Sequence, residues 1–306
     1  MTDAPRAAPP PNQEIAEIAD ARRRFDAACE QLRPDLHRFC TRMTGNPCDG
    51  EDVLHDTLAL AFYRLSELRD TRALRGWLFR IAHNKCIDHL RARRRGHALG
   101  LDDEPTSEDP LIDDHLDRKQ RTERVLANIV TELPPRERAC IVLKDVLEFS
   151  LEDTADVVGS SVGAVKAALH RGRDKLERAD LTPPRAPTSL PAGQRALVER
   201  YLAAFNRRDW DAVLALLSDD ARLEVVHRSE GPLRDSSYFT NYGHLAWPWK
   251  LALAHVDGIE SVVHFRHIDG AWAPHTVVQL SFDGAQIAVV RDYIHVDYLL
   301  RNSTID

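Results

Sequence analysis

The chain has 306 residues, 43% hydrophobic and 29% charged, which allows about two domains with real cores and excludes a low-complexity or disordered chain. No run approaches the roughly 18 apolar residues of a membrane span, and the Pro/Ala-rich start Met1–Gln13 lacks the apolar stretch of a signal peptide, so a cytoplasmic protein without a membrane partner is expected. Five cysteines, an odd number with no C-x-x-C pair, argue against a disulfide framework or zinc ribbon and read as small buried hydrophobes.

The net charge of −7 hides a polarised layout. Residues 20–97 carry a net +5, residues 98–117 a net −8, residues 118–178 a net +2 and residues 189–306 a net −4. Two basic blocks, an acidic tether and an acidic last domain are separate units on this count.

Residues 1–19 are expected to be disordered. In the first block, 20–97, the spacing of Phe25, Cys29, Leu32, Leu36, Phe39, Cys40 and Met43 predicts a helix over Arg22 to Thr44, broken by Gly45-Asn46-Pro47. A second helix, Glu51 to Leu65, places Leu54, Leu58, Ala61, Phe62 and Leu65 on one face. Its acidic start, Glu51, Asp52 and Asp56, complements the helix dipole. A third runs from about Leu74 to Arg95, buried along Leu74, Leu78, Ala82, Cys86 and Leu90. Opposite lies a polar stripe of Arg80, Asn84, Asp88, Arg91 and Arg95, with Arg93 and Arg94 raising the basic density and Trp77 and Phe79 at the start. A basic helix beside aromatics suits a single strand of unstacked bases.

Residues 98–117 read as an acidic flexible linker. Helices resume over Leu116 to Leu133, Pro135 to Val146, Leu151 to Val158 and Val162 to Ala179. Ser150 can cap the third of these, and Gly159-Ser160-Ser161 turns the chain into the fourth. There Val162, Val165, Leu169 and Leu176 face inward, while Gly163, Ala164, Ala167, His170 and Arg171 face out, flanked by Lys166 and Arg173. Small residues permit close approach, polar ones reach base edges and flanking cations meet phosphates, which is a helix-turn-helix reader of duplex DNA. Gly159-Ser160-Ser161-Val162-Gly163 also fits the G-x-S-x-G elbow of a hydrolase, but that motif needs a preceding strand and here a helix precedes it.

These residues resemble the extracytoplasmic-function (ECF) sigma factors. Gly50-Glu51-Asp52-Val53-Leu54-His55-Asp56 and Gly76-Trp77-Leu78-Phe79-Arg80-Ile81-Ala82-His83-Asn84 are similar to their region 2; Leu133-Pro134-Pro135-Arg136-Glu137-Arg138 and the helix-turn-helix are similar to region 4. The resemblance implies two all-α domains, σ2 (20–97) and σ4 (118–179). It implies core RNA polymerase and promoter DNA as partners: polymerase contacts at Asp52, Val53, His55 and Asp56; a single-stranded −10 element along Trp77, Arg80, Asn84, Asp88, Arg91, Arg94 and Arg95; and a duplex −35 element at Ser160, Ser161, Ala164, Lys166, Ala167, His170, Arg171 and Arg173. It implies no catalytic residue, metal or cofactor, and leaves open whether an anti-sigma partner exists. The chain departs from the family at His55, where glutamine is common, and at Ala167-Ala168, which replace a frequent Ser-Arg.

A Pro-rich linker over 180–192 precedes a third domain, 193–306, whose helices Gly193 to Phe205 and Trp210 to Leu217 lead into antiparallel strands separated by Asp257-Gly258, Asp269-Gly270 and Asp283-Gly284. Leu197 to Trp210 and Leu216 to Ala221 resemble the SnoaL-like, nuclear transport factor 2-type α+β cone, an extension associated with regulation of the sigma core. A pocket for an unknown small ligand would be lined by Trp247, Trp249, Asp292 and His295. Asp292 or His295 acting as a base is the enzyme alternative, an isomerase or cyclase fused to a DNA-binding region. A plain repressor is disfavoured because it needs no polymerase helix. His264 and His267, three apart on a strand, face opposite ways and are not a metal pair. From the charge layout, the acidic last domain is expected to lean on the basic surfaces of the first two.

Overall fold

The computed structural model describes residues 11–68, 70–98, 133–179, 188–234, 236–301 and 303–306. The acidic tether, the expected Leu116 to Leu133 helix and the core of the Pro-rich linker lie outside them.

The first block packs α1 (Pro11–Thr44), α2 (Pro47–Tyr63) and α3 (Leu74–Ala98). The first helix begins at Pro11, so residues 11–19 are helical rather than disordered: the alternating Glu, Ala and Ile that follow Pro11 are good helix formers. Asn46 stops the break after α1 by capping α2, its side chain accepting from the N–H groups of Cys48 (2.7 Å) and Asp49 (3.3 Å). α1 and α2 meet at Gly50, where a Cβ would come within 2.5–2.8 Å of Thr41, so only glycine permits this crossing. Leu36, Phe39, Met43, Leu54, Leu78 and Phe79 form the centre of the core. Phe62 is exposed instead of joining the buried face.

The second block comprises α4 (Pro135–Ile141), which runs into a single π turn at Val142–Val146, then α5 (Leu151–Val157) and α6 (Val162–Ala179). Ser150 caps α5 as expected, accepting from Asp153 N–H at 2.9 Å. This block does not stand apart from the first. Phe149 packs edge-on against Phe79 (4.9 Å between centroids), and the Arg75 guanidinium lies 4.1 Å over the Phe149 ring. Val142, Leu143, Leu147 and Val157 belong to the same hydrophobic cluster as Phe39 and Leu78, so the two blocks share a core.

The last domain contains α7 (Ala192–Asn206), α8 (Trp210–Leu214), β1 (Leu217–Val225), β2 (Ser229–Pro232), α9 (Tyr238–Gly243), β3 (Trp249–Val256), β4 (Ile259–Ile268), β5 (Ala271–Asp283) and β6 (Gln286–Asp292). The sheet order is β2-β1-β6-β5-β4-β3. It is mixed rather than wholly antiparallel, since β1 and β6 pair in parallel, as strands joined by a long excursion can. The Asp257-Gly258 and Asp269-Gly270 pairs have positive φ at both positions, the backbone that two-residue hairpins require. Helices cover one face of the sheet, with Tyr201, Phe205, Trp249, Val262 and Val290 between the layers. The opposite face, Val226, Ala254, Val256, Val263 and Val277, is covered by Tyr293, Val296, Leu299 and Leu300 and by Cys48 of α2. This is an α+β domain following two helical domains. It starts before residue 193: Thr188 exchanges backbone hydrogen bonds with Gly258 and Glu260 (2.8 and 2.9 Å), so this end of the expected linker is tied to the sheet. All five cysteines are buried and unpaired.

Candidate functional site

The start of α2 is where the C-terminal domain meets the first block. Glu51 is buried, and its Oε1 accepts from Tyr298 Oη and His227 Nε2, each at 2.7 Å. Arg33 donates to Tyr298 Oη (3.3 Å), and His37 packs edge-on against the Tyr298 ring at 5.2 Å. Burial pushes the Glu51 carboxyl up, but His227, His37 and Tyr298 together outweigh it and hold it below the ordinary range. The next residue, Asp52, pairs with Arg291 at 2.8 Å, yet burial still leaves its carboxyl raised. The His55 ring lies 5.5 Å from His227. Asp56 is exposed and pairs with Lys85 at 3.2 Å. Val53 is buried in the core and presents nothing to a partner, because the helical period puts it with Leu54 and Thr57.

The charges at this seam run opposite to the expectation from net charge. The acidic domain supplies Arg291 and His227, and the basic block supplies Glu51 and Asp52. A domain's net charge does not determine the sign of a local patch.

On α3, Arg80, Asn84, Asp88, Arg91, Arg94 and Arg95 are exposed, as the stripe predicts, and Asp88 pairs with Arg91 at 3.4 Å. Trp77 is half-buried against the core and Phe79 is fully buried. Between α2 and α3 runs a groove of about 500 Å3 that brings Asn84, Asp88 and Arg91 together with Arg64, His83 and Lys85. Arg64, the C-cap of α2, reaches this groove from about twenty positions away in sequence, which the pattern of α3 alone does not reveal.

In the helix-turn-helix, Val165, Ala168 and Leu169 are buried and Lys166, Ala167, His170, Arg171 and Arg173 are exposed. Ala168 therefore lies inside, and of the two alanines that replace Ser-Arg only Ala167 faces out. Gly172 lets α6 approach α4, where a Cβ would meet Ile141 at 3.1 Å. Ser161 Oγ accepts from Ala164 N–H (3.2 Å), so it starts the helix, and Ser160 is bound by Arg136. Arg171 Nε and Lys175 Nζ both donate to the buried Glu137 at 2.8 Å, and Arg173 pairs with Asp145 at 2.6 Å. Burial raises the Glu137 carboxyl, but these two cations lower it further than burial lifts it.

The four residues expected to line a pocket do not do so together. Trp247 stacks with Arg266 at 4.1 Å, His295 is exposed, and Trp249 and Asp292 are buried among aromatics. The Asp292 carboxylate accepts from Tyr242 Oη (2.7 Å), Tyr238 Oη (2.8 Å) and Ile294 N–H (2.9 Å). Burial still pushes it up to about 6. His264, stacked on Trp249, is fully buried and lowered to about 3 by burial, His275 and Arg266, while His267 on the other face of β4 is exposed. The bowl of the cone is filled by Phe205, Trp210 and their aromatic neighbours rather than left open. Aromatic residues clustered in a sequence signal a pocket and a packed core equally well, and only packing separates the two.

The family described as Sigma-70 region 2 matches residues 29–96, and Sigma-70 region 4 matches residues 123–176. The ECF RNA polymerase sigma factor SigM of Mycobacterium tuberculosis is 32% identical over 167 residues, covering 53% of this chain and 80% of SigM. The chain belongs to the ECF sigma factors. SigG of the same species is 33% identical over 236 residues, covering 68% of this chain and 63% of SigG, so the chain spans less than two thirds of that relative. Among solved structures, the M. tuberculosis ECF sigma factor SigJ is 19% identical, with 87% of this chain and 94% of that chain covered and a TM-score of 0.37.

Within this sigma factor, the first matched region lies within α1 to α3, and the second takes in α4, α5 and most of α6. The seam residues Tyr298, His227, Arg291 and Arg33 carried no signal in the sequence, since each pairs with a residue distant in the chain.

Proposed function

We propose that the chain brings core RNA polymerase to specific promoters and starts transcription there, with its C-terminal domain governing when it does so. In this reading Asp52, His55 and Asp56 contact polymerase. The exposed stripe of α3 holds the melted −10 strand, and α6 reads the −35 duplex with Lys166, His170, Arg171 and Arg173. Region 2 spans residues 20–97, region 4 spans 118–179, and the regulatory domain begins at Thr188. The factor is not itself an enzyme and acts in the cytoplasm.

The observation that carries the reading is the order of the two matched regions, each with its polar reading face exposed. The seam supports the regulatory half: His227 and Arg291 occupy the acidic face that polymerase would need. The shared core of the two blocks is a closed resting form, since one DNA must be gripped at two separate elements.

Run-off transcription on genomic fragments with core polymerase tests this, using the full chain and a form truncated after Arg178. Defined start sites are expected with both, with higher output from the truncated form. Failure of the purified chain to associate with core enzyme removes the reading.

A further inference from the structure

Between the sheet and α2 lies a cavity of about 180 Å3 that no role described so far uses. It arises from strand register. β4 pairs with β5 from Val262↔Val278 onward, but β5 continues through Gln279 to Asp283 with only β6 beside it. The notch so left between the two strands opens on one side to Val198 of α7 and on the other to Asn46, Pro47 and Cys48 at the start of α2.

Its walls set the chemistry of an occupant. Val198, Val262, Val278, Leu280 and Phe282 are apolar; of the amides that also line it, Asn46 Oδ1 is taken up by the N–H groups of Cys48 and Asp49, and Gln279 Oε1 accepts from Tyr293 Oη at 3.5 Å. The buried charge at the edge, Glu260, is already satisfied by Leu190 N–H (2.9 Å) and Arg195 (3.3 Å), and Ser261 donates to the Ile259 carbonyl (3.1 Å). No unpaired charge awaits a counter-ion. Cavities of about 150 Å3 with aliphatic and aromatic walls take up benzene.

We infer that this notch binds a small, neutral, apolar molecule of one or two rings. The site is distinct from the bowl of the cone, which aromatic side chains fill. Its third wall exists only while the α2 cap sits against the sheet, so an occupant favours the closed seam over any form in which α2 has left. Resting on the reading of α2 as the polymerase helix, the occupant is a negative effector: at a free concentration ten times its Kd it weakens polymerase binding by up to about 11-fold.

The test uses the full chain with indole as probe and imidazole as a polar control of similar shape. Calorimetry is expected to show indole binding and no imidazole binding, and a crystal pressurised with xenon is expected to show density between Val278 and Cys48. Val278→Phe should abolish indole binding at least tenfold; Leu280→Trp fills the same space should the first variant fail to fold. Absence of both indole heat and xenon density, or indole binding unchanged in a folded filled variant, overturns the site. Core-polymerase affinity is then measured with and without saturating indole. An unchanged affinity overturns the coupling, whereas a chain that never associates with polymerase overturns the function proposed above and leaves the xenon and indole results to decide the site.

Discussion

Arg291 Nη1 lies 2.8 Å from Asp52 Oδ2, across the seam between the C-terminal domain and α2, while its Nε holds Glu224 at 2.7 Å. One guanidinium thus ties the sheet to α2. Arg291→Ala removes both bonds. Because the pair is partly exposed, the loss at the seam is about 1 kcal/mol, which predicts a roughly fivefold gain in affinity for core polymerase by fluorescence anisotropy. An unaltered affinity would count against the seam as a competitor of polymerase.

Phe149 contributes a ring to the core shared by the helical blocks, touching Phe79 and lying under Arg75. Phe149→Ala leaves a cavity there at a cost of about 3–5 kcal/mol. Energy transfer between dyes on α3 and α6 should then report a longer mean separation. The same distance in the variant and the parent would mean the blocks are held together elsewhere.

Glu137 fixes Arg171 and Lys175 through paired bonds of 2.8 Å, so it aims the α6 cations. Arg171→Ala should cost about 1–3 kcal/mol in promoter binding in a sequence-dependent way, whereas Lys166→Ala should weaken all DNA alike and reduce the salt dependence. Glu137→Gln, which leaves both cations in place but unanchored, should lower discrimination between promoters more than total affinity. Competition binding against mismatched −35 sites measures all three; equal, sequence-blind losses for Arg171 and Lys166 would contradict the assignment.

Asp292 is buried with its proton affinity raised to about 6, against an ordinary 3.8. Between those values the folded chain holds a proton that the unfolded chain has lost, so stability contributed by this group is full below about pH 4 and falls as pH rises through 6. The interval corresponds to about 3 kcal/mol. Thermal unfolding should therefore show wild type losing stability from pH 4.5 to pH 7 relative to Asp292→Asn, which has no such titration. Parallel profiles would place the raised group elsewhere.

Much of this was legible from local pattern. The inward face of α3, the Ser150 cap, the turn into α6 and the Asp-Gly hairpins all follow from spacing and backbone preference over a few residues. The misreadings have a common origin. Val53 and Ala168 sit in motifs expected to contact partners, yet the helical period turns both inward; β1 and β6, far apart in sequence, became parallel neighbours. Trp249 and Asp292 fill a core where a pocket was expected, because aromatic composition is the same in both.

The sequence by itself determined that two basic helical blocks and an acidic α+β domain follow one another, because periodicity, caps and turns are local and act within about a dozen residues. Only the tertiary structure decided that Glu51 and Asp52 lie beneath His227, Tyr298 and Arg291, and that Phe149 joins the two blocks. Those contacts join residues more than 60 positions apart, and their energy depends on burial and geometry that exist only once the chain has closed.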